Sequence, residues 1–188
     1  MPATALDPKT ALVVIDLQKG IAQFPTVHPF RDVVARTAKL AQAFRRAGWP
    51  VVLVNVSFSA DGADAPRTRA DVRREIKMTP EFAELVPELG AQPGDLRITK
   101  RQPNAFYGTE LDLQLRRRRV TGIVLTGVST SSGVDGTARA AQERGYNLTF
   151  ASDAITDLDA ATHEHVMTKV FPRLGEVDTT DAILALVP

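Results

Sequence analysis

Short apolar runs alternate along the chain with longer segments in which apolar residues recur at helical spacing. The five clearest runs are Ala11–Asp16, Val51–Val56, Leu96–Thr99, Val120–Gly127 and Asn147–Ser152. Several of them lack the alternation of a half-exposed strand, which is typical of parallel strands that are covered on both faces. Strands that alternate with helices in this way predict an α/β fold.

The segments between these runs predict the crossover helices. Residues Asp32–Ala47 repeat apolar side chains on one helical face and end before Gly48, a typical C-cap residue. The other predicted helices are Thr109–Arg118, Ser132–Arg144 and Ala160–Val170, and the stretch LGEVDTTDAILALV suggests a last short strand and a terminal helix. The pattern predicts a three-layer α/β/α architecture with a mostly parallel sheet of about six strands.

Length and composition predict one domain over residues 1–188. The chain is 44% hydrophobic, enough for one well-buried core but short for two domains. The long irregular segment Ser57–Pro80 is expected to be a flap over the sheet, because loops of this length in compact domains usually serve function.

Charge and cysteine content exclude several classes of function. The formal net charge of +1 gives no general field for nucleic acid or an anionic membrane, so a small-molecule partner is expected. The run Arg116–Arg119 ends a predicted helix, where positive charge complements the helix dipole, and nucleic-acid binding is not expected. The chain has no cysteine, which excludes disulfides, thiolate metal sites and a cysteine nucleophile.

No membrane or export signal is visible in the sequence. The start MPATALDPKT has no basic region followed by a long apolar run, and no stretch approaches the roughly 18 apolar residues of a membrane span. A soluble protein in the cytoplasm is the expectation.

Three candidate elements of a site follow predicted strands. Ligands of open parallel sheets bind beyond the carboxyl ends of the strands. Asp16 ends the first run, where burial raises a carboxyl pKa toward a range useful for acid–base chemistry, although a turn aspartate is an equal alternative. Lys100 ends the third run; taken alone it is typical of a solvated lysine, but if the two strands are close it converges with Asp16 as a candidate acid–base pair. The turn GVSTSSG after the fourth run offers backbone N–H groups for a carboxylate or an oxyanion.

Three motifs carry a resemblance to the isochorismatase-like hydrolase superfamily, which also contains nicotinamidases and N-carbamoylsarcosine amidohydrolases. They are ALVVIDLQKG, TKRQPNAFYGTELDLQLRRRRV and TGIVLTGVSTSSGVDGTARAAQERGYNLTFASDAITD. The resemblance covers nearly the whole chain and implies a Rossmann-like fold whose site uses an Asp, a Lys and a Cys. Asp16 matches the aspartate, Lys100 matches the lysine, and Gly133 stands where the family has its cysteine.

The glycine decides between the branches of this superfamily. In the amidase branch a cysteine thiolate attacks the amide carbon, a covalent route that Gly133 does not support. Ser131 and Ser132 lie before that position and are expected to cap the helix, with Ser132 and Asp135 in a capping box. The isochorismatase branch needs no thiol. There the resemblance implies that the Asp protonates the methylene carbon of a vinyl ether, after which water traps the oxocarbenium ion.

Metal binding is not expected. Metal-dependent nicotinamidases carry an Asp-x-His near the end of the second strand, and VVLVNVSFSADGAD has no histidine. The remaining histidines are His28, His163 and His165, and residues two apart on a helix, such as the last two, project to different sides. No cofactor is predicted.

Substrate-binding candidates lie close in sequence to the motifs. They are Gln18, Phe24, Phe106, Tyr107, Ser129 and Thr130, with Arg67 and Arg69 as possible carboxylate donors from the flap. The family resemblance implies a cis peptide in Val128–Thr130. Core packing is the alternative for the aromatic residues, and a solvated surface charge is the alternative for the two arginines.

Two hypotheses of function remain. The first is a cofactor-free hydrolase that uses Asp16 and Lys100 on a small carboxylated substrate, such as a vinyl ether of the isochorismate type. The second is a catalytically silent member that binds a ligand or serves as a scaffold. The family also implies a homo-oligomer, either a dimer or a tetramer.

Overall fold

The sheet is the centre of the fold. The structure is a computed structural model and describes residues 2–71 and 79–188. The strands in these residues are β1 (Thr10–Ile15), β2 (Val51–Val56), β3 (Leu96–Lys100), β4 (Gly122–Val128), β5 (Asn147–Thr156) and β6 (Glu176–Asp178). They form a six-stranded sheet in the order β3-β2-β1-β4-β5-β6, and each neighbouring pair is parallel. The predicted α/β fold with about six strands is confirmed.

Helices cover both faces of this sheet. The α-helices are α1 (Phe30–Arg46), α2 (Leu111–Arg117), α3 (Asp135–Glu143), α4 (Ala160–His165) and α5 (Thr180–Leu184). Two π-helical turns lie at Thr130–Val134 and Val166–Val170, and 3₁₀ turns lie at Ile21–Gln23, Pro80–Ala83, Pro87–Leu89 and Phe171–Arg173. Of these helices, none is long and apolar enough to cross a bilayer.

The strand β1 shows why the predicted runs lack alternation. All six of its residues are buried. Val13 packs in a core cluster with Phe150 on one face, while Leu12 packs with Phe44 on the other. Successive side chains of a strand point to opposite faces, so a strand in the middle of three layers can be apolar at consecutive positions, as Ala11–Ile15 are.

The start of α3 differs from the prediction. The chain makes the π-helical turn Thr130–Val134 first, in which the N–H of Val134 donates to Ser129 O, and α3 begins only at Asp135. The predicted capping box is therefore wrong, because Ser132 lies inside the wide turn and no side chain caps α3. The Asp135 carboxylate instead accepts from Arg139 Nε at 3.0 Å.

The strand β5 is longer than the predicted run. Its register against β4 shifts between Leu125 and Gly127, so that Leu125 pairs with Phe150 and Gly127 pairs with Ile155. This irregularity absorbs the extra residues and lets β5 continue to Thr156.

Residues Ser57–Asp71 form what we call the cover segment, which contains no helix or strand. The Asp64 carboxylate organises it by accepting from the Ser59 N–H at 2.7 Å and from Ser59 Oγ at 2.9 Å. The predicted flap extends to Pro80, and its residues 72–78 lie outside the described residues.

The arginine run lies at the end of α2, as predicted. The Arg116 guanidinium stacks 4.4 Å from the centre of the Tyr146 ring, and Arg118 donates to Gln114 O at 3.0 Å. These two arginines therefore have contacts within the chain.

Candidate active site

Asp16 and Lys100 meet beyond the carboxyl ends of β1 and β3. Lys100 Nζ lies 2.7 Å from Asp16 Oδ2, and both side chains are buried, 3% exposed for the lysine and 9% for the aspartate. Since β2 separates the two strands, the long lysine side chain spans the end of that strand to reach the carboxylate. The convergence of these two residues is what their strand-end positions predicted.

Burial controls the protonation of Asp16. Desolvation raises the pKa of its carboxyl above the ordinary value, and the charge and hydrogen bond of Lys100 oppose this effect in part. Oδ2 accepts from Lys100, whereas Oδ1 is buried and has no hydrogen-bond partner among the described residues. A protonated carboxyl fits this arrangement, with Oδ2 as the acceptor and Oδ1–H as a donor toward a bound molecule.

The backbone of Asp16 is held in the left-handed region, with φ of 52°. Short polar residues tolerate this region better than branched or bulky ones. The turn out of β1 thus places the carboxyl at the rim of the sheet, next to the turn that follows β4.

The turn after β4 comes very close to Asp16. A Cβ added to Gly133 would lie 3.3 Å from Asp16 Oδ2 and 2.8 Å from Ile15 Cγ2. The peptide bond Val128–Ser129 is cis, as the family resemblance implied for this segment. The N–H of Ser131 donates to Asp157 Oδ2 at 2.7 Å, which fixes the turn to the end of β5.

A cavity of about 290 Å³ opens at these residues. It is lined by Asp16, Ile21, Phe24, Val56, Phe58, Pro66, Phe82, Lys100, Arg101, Gln102, Pro103, Val128, Ser129, Ser132, Gly133 and Leu158. Its walls are mostly apolar, and the charged groups of the described lining lie on Asp16, Lys100 and Arg101. The size suits a small molecule.

The predicted substrate residues divide between this cavity and other places. Phe24 and Ser129 line it. Gln18 is fully buried, and its amide donates to the carbonyls of Val56 and Phe82 and accepts from the Val56 N–H, which joins the end of β2 to the Pro80–Ala83 turn. Gln18 therefore supports the part of the cavity wall that Val56 and Phe82 form, and it does not line the cavity itself.

Five further candidates lie outside the lining. Phe106 is buried and stacks on Tyr146, with 6.0 Å between ring centres, while Tyr107 is 67% exposed. Thr130 is buried, and its Oγ1 lies 2.7 Å from His163 Nδ1. Arg67 and Arg69 are exposed side chains of the cover segment and are not part of the lining.

Sequence reasoning missed several lining residues, among them Phe58, Phe82, Arg101 and Leu158. They come from irregular segments, whose positions depend on tertiary contacts. One signal was present: Arg101 follows Lys100 directly, at the end of a strand.

The histidines form a pair behind the turn. The rings of His28 and His163 lie 4.9 Å apart between centres, edge to face, and His163 is buried while His165 is exposed. Burial and the nearby His28 lower the pKa of His163, and Asp157 opposes this effect. Within residues 2–71 and 79–188, no group of three potential metal-ligating side chains comes together.

The chain also resembles known proteins. A profile described as the isochorismatase domain matches residues 10–182. A protein of Escherichia coli O157:H7, named as the uncharacterized isochorismatase family protein YecD, is 46% identical over 93% of this chain and 94% of its own length. A solved structure of an isochorismatase family protein from Burkholderia thailandensis is 45% identical, covers 97% of both chains and has a TM-score of 0.94.

A second solved structure is that of an N-carbamoylsarcosine amidase from Thermoplasma acidophilum. It is 30% identical and covers 92% of this chain and 97% of its own, with a TM-score of 0.77. Proteins of similar fold are thus named for different hydrolytic reactions.

Proposed function

We propose that this chain, which belongs to the isochorismatase family of hydrolases, hydrolyses a small carboxylated vinyl ether of the isochorismate type without a cofactor. The observation that carries the proposal is the Asp16 carboxyl, which is buried, has a raised pKa and keeps Oδ1 apart from Lys100. Burial makes this carboxyl hold its proton more readily than a free one, and a protonated carboxyl is the general acid that this reaction needs.

The proposed reaction starts with proton transfer from Asp16 Oδ1 to the methylene carbon of the vinyl ether. A C–H bond forms, the O–H bond breaks, and the substrate becomes an oxocarbenium ion. Water adds to this cation and returns a proton to the Asp16 carboxylate. The resulting hemiketal breaks its C–O bond while its hydroxyl proton is transferred to the departing oxygen, which gives a ketone, pyruvate for isochorismate, and an alcohol.

Lys100 and Gly133 have supporting roles in this proposal. Lys100 stabilises the Asp16 carboxylate after the proton has left, through the contact of 2.7 Å. Gly133 leaves space beside the carboxyl, which a side chain would reduce. The amidase route of other family members uses a thiolate, and this sequence has no cysteine.

The test measures pyruvate released from isochorismate, coupled to NADH oxidation by lactate dehydrogenase. We expect the unmodified protein to release pyruvate and Asp16→Asn to lose at least about a hundredfold in rate, the usual contribution of a general acid. Asp181→Asn, an exposed change on α5, is the matched control and should retain the rate. Equal rates for the unmodified protein and Asp16→Asn would exclude the proposed role of Asp16. No pyruvate from the unmodified protein would favour the silent, ligand-binding alternative.

A further inference from the structure

We propose that Arg101 recognises the carboxylate of the ligand in this cavity, and that the ligand displaces Asp64 from the guanidinium when it binds. The inference rests on the proposed function in one respect, that the cavity takes a small carboxylate. It assigns to Arg101 a role in specificity and leaves the chemistry to Asp16.

Arg101 is more accessible to an incoming anion than Lys100, the other cationic residue of the described lining. Lys100 is almost fully buried and its ammonium group is already paired with Asp16 at 2.7 Å. Arg101 is the next residue, lines the same cavity and has a side chain that is 50% exposed. Of the two cationic groups in the described lining, it is therefore the one that an incoming anion meets first.

The existing partner of Arg101 is itself a carboxylate. Arg101 Nε donates to Asp64 Oδ2 at 2.6 Å, which shows that the guanidinium is placed to hold a carboxylate at this point. A guanidinium has more N–H donors than this one contact uses, and its planar shape suits bidentate binding of carboxylates. Asp64 does not belong to the cavity lining, so a ligand carboxylate would compete with it for Arg101 from the cavity side.

The exposure of Asp64 and its other hydrogen bonds favour its replacement on Arg101 by a ligand carboxylate. The Asp64 side chain is 32% exposed, and ion pairs at this level of exposure contribute little to stability. If Arg101 turns away, Asp64 Oδ1 keeps its bonds from Ser59 N–H and Ser59 Oγ. The Arg101 and Ser59 bonds lower the pKa of Asp64 to about 2, so Asp64 stays ionised at neutral pH with or without the ligand.

The rest of the wall indicates what kind of carboxylate fits. Phe24, Phe58 and Phe82 line the cavity, so the body of the ligand meets aromatic rings while its charge meets Arg101. Asp16 and Gly133 belong to the same lining, where the reacting end of the molecule would lie. The cavity therefore suits a small unsaturated or cyclic carboxylate, with its charged group toward Arg101.

A pair of uncharged and charged probes tests this inference without any reaction. Benzoate and benzamide have nearly the same shape, and only benzoate is an anion at pH 7. We expect isothermal titration calorimetry to show that Arg101→Gln weakens benzoate binding at least tenfold and leaves benzamide binding unchanged. Asp64→Asn should tighten benzoate binding several-fold, because it removes the competing charge.

The matched control is Arg97→Gln, an exposed arginine on β3 that is not part of this lining. It should leave the affinity for both probes unchanged. The inference is overturned if benzoate does not bind, if Arg101→Gln binds benzoate like the unmodified protein, or if that variant loses both probes equally. An unchanged benzoate affinity in Asp64→Asn overturns the exchange. If these results are as expected and isochorismate yields no pyruvate, the proposed function fails and the role of Arg101 stands.

Discussion

At the scale of single residues, the contact of Asp16 with Lys100 places two ionisable side chains where apolar residues would normally be favoured. Whenever the Asp16 carboxyl is ionised, two opposite charges are held away from water, and the mutual attraction of a buried pair often does not repay the lost hydration. The neighbours Ile15 and Leu17 are fully buried apolar side chains, so the surroundings supply little polar compensation. We infer that this pair lowers the stability of the folded chain.

The double variant Asp16→Asn/Lys100→Met tests whether the buried pair lowers the free energy of unfolding. Asparagine tolerates the left-handed backbone of Asp16, and methionine follows the path of the lysine side chain. We expect the variant to exceed the unmodified protein in free energy of unfolding by about 1–4 kcal/mol at pH 8, as urea denaturation would measure it.

The pH dependence of this difference follows from the raised pKa of Asp16. Because the folded chain holds this proton more tightly than the unfolded chain, the contribution of Asp16 to stability falls as pH rises from 3.8 through the folded pKa. The advantage of the double variant should therefore shrink as pH falls toward 4. Asp16→Asn alone leaves Lys100 buried without a carboxylate and should be less stable than the double variant. If the double variant is less stable at each pH, the pair stabilises the fold.

At the scale of elements, the central strands were predictable and the ends of several elements were not. The run Val51–Val56 matches β2, because its first four residues are apolar and buried between layers that cover both faces of the sheet. The start of α3 and the end of β5 depend on a wide turn and a register shift. Both are set by how β4 packs against its neighbours, which a local pattern does not contain.

In the candidate site, too, a local pattern predicted some residues, while tertiary contacts place the others. Asp16 and Lys100 were candidates because each lies at the carboxyl end of a predicted strand, and parallel strands end at one edge of the sheet. Phe82 was missed because it reaches the cavity through long-range contacts of its segment, including Gln18 to Phe82 O and Asn55 to Ala83 O. Gln18 is polar and close to Asp16 in sequence, but its hydrogen bonds go to the backbone of other segments.

Among the positions that control how the strands pack together, Gly127 is where we expect a substitution to lower stability most. Its φ is +115°, and an added Cβ would lie 2.0 Å from the Ile15 carbonyl oxygen, so Gly127→Ala would force β4 away from β1. Gly145→Ala is the matched control, because φ there is +78° and no atom of the described residues lies within 4 Å of the added Cβ. We expect the control to lose about 1–2 kcal/mol in thermal or urea unfolding, the usual cost of a left-handed alanine. Gly127→Ala should lose several times more, and equal losses would contradict the close contact of the two strands.

At the scale of the whole molecule, His163 is expected to make global stability depend on pH. Its folded pKa is lowered by burial and by His28, so the unfolded chain binds a proton more readily. The stability that neutral His163 provides is present above its ordinary pKa of 6.5 and is lost as pH falls through the folded pKa.

Urea unfolding between pH 8 and pH 4 measures this effect. Asp16 is present in both proteins and acts in the opposite direction, so the comparison isolates His163: below about pH 6.5 the stability of the unmodified protein should fall relative to that of His163→Gln. His165→Gln, on the exposed side of α4, should follow the unmodified protein. A pH profile of His163→Gln that parallels the unmodified protein would show that another group causes the acid loss.

The order of the strands also governs how the chain reaches this structure. Because each neighbouring pair in the sheet is parallel, none of these pairs can close through a tight hairpin, and each needs a crossover that brings distant residues together. The entropy of closing those loops is lost before the strand contacts compensate for it, which makes such topologies slow to fold. Asp16 and Lys100 meet only when β1, β2 and β3 are side by side, so a partly folded chain lacks the place where its substrate would bind.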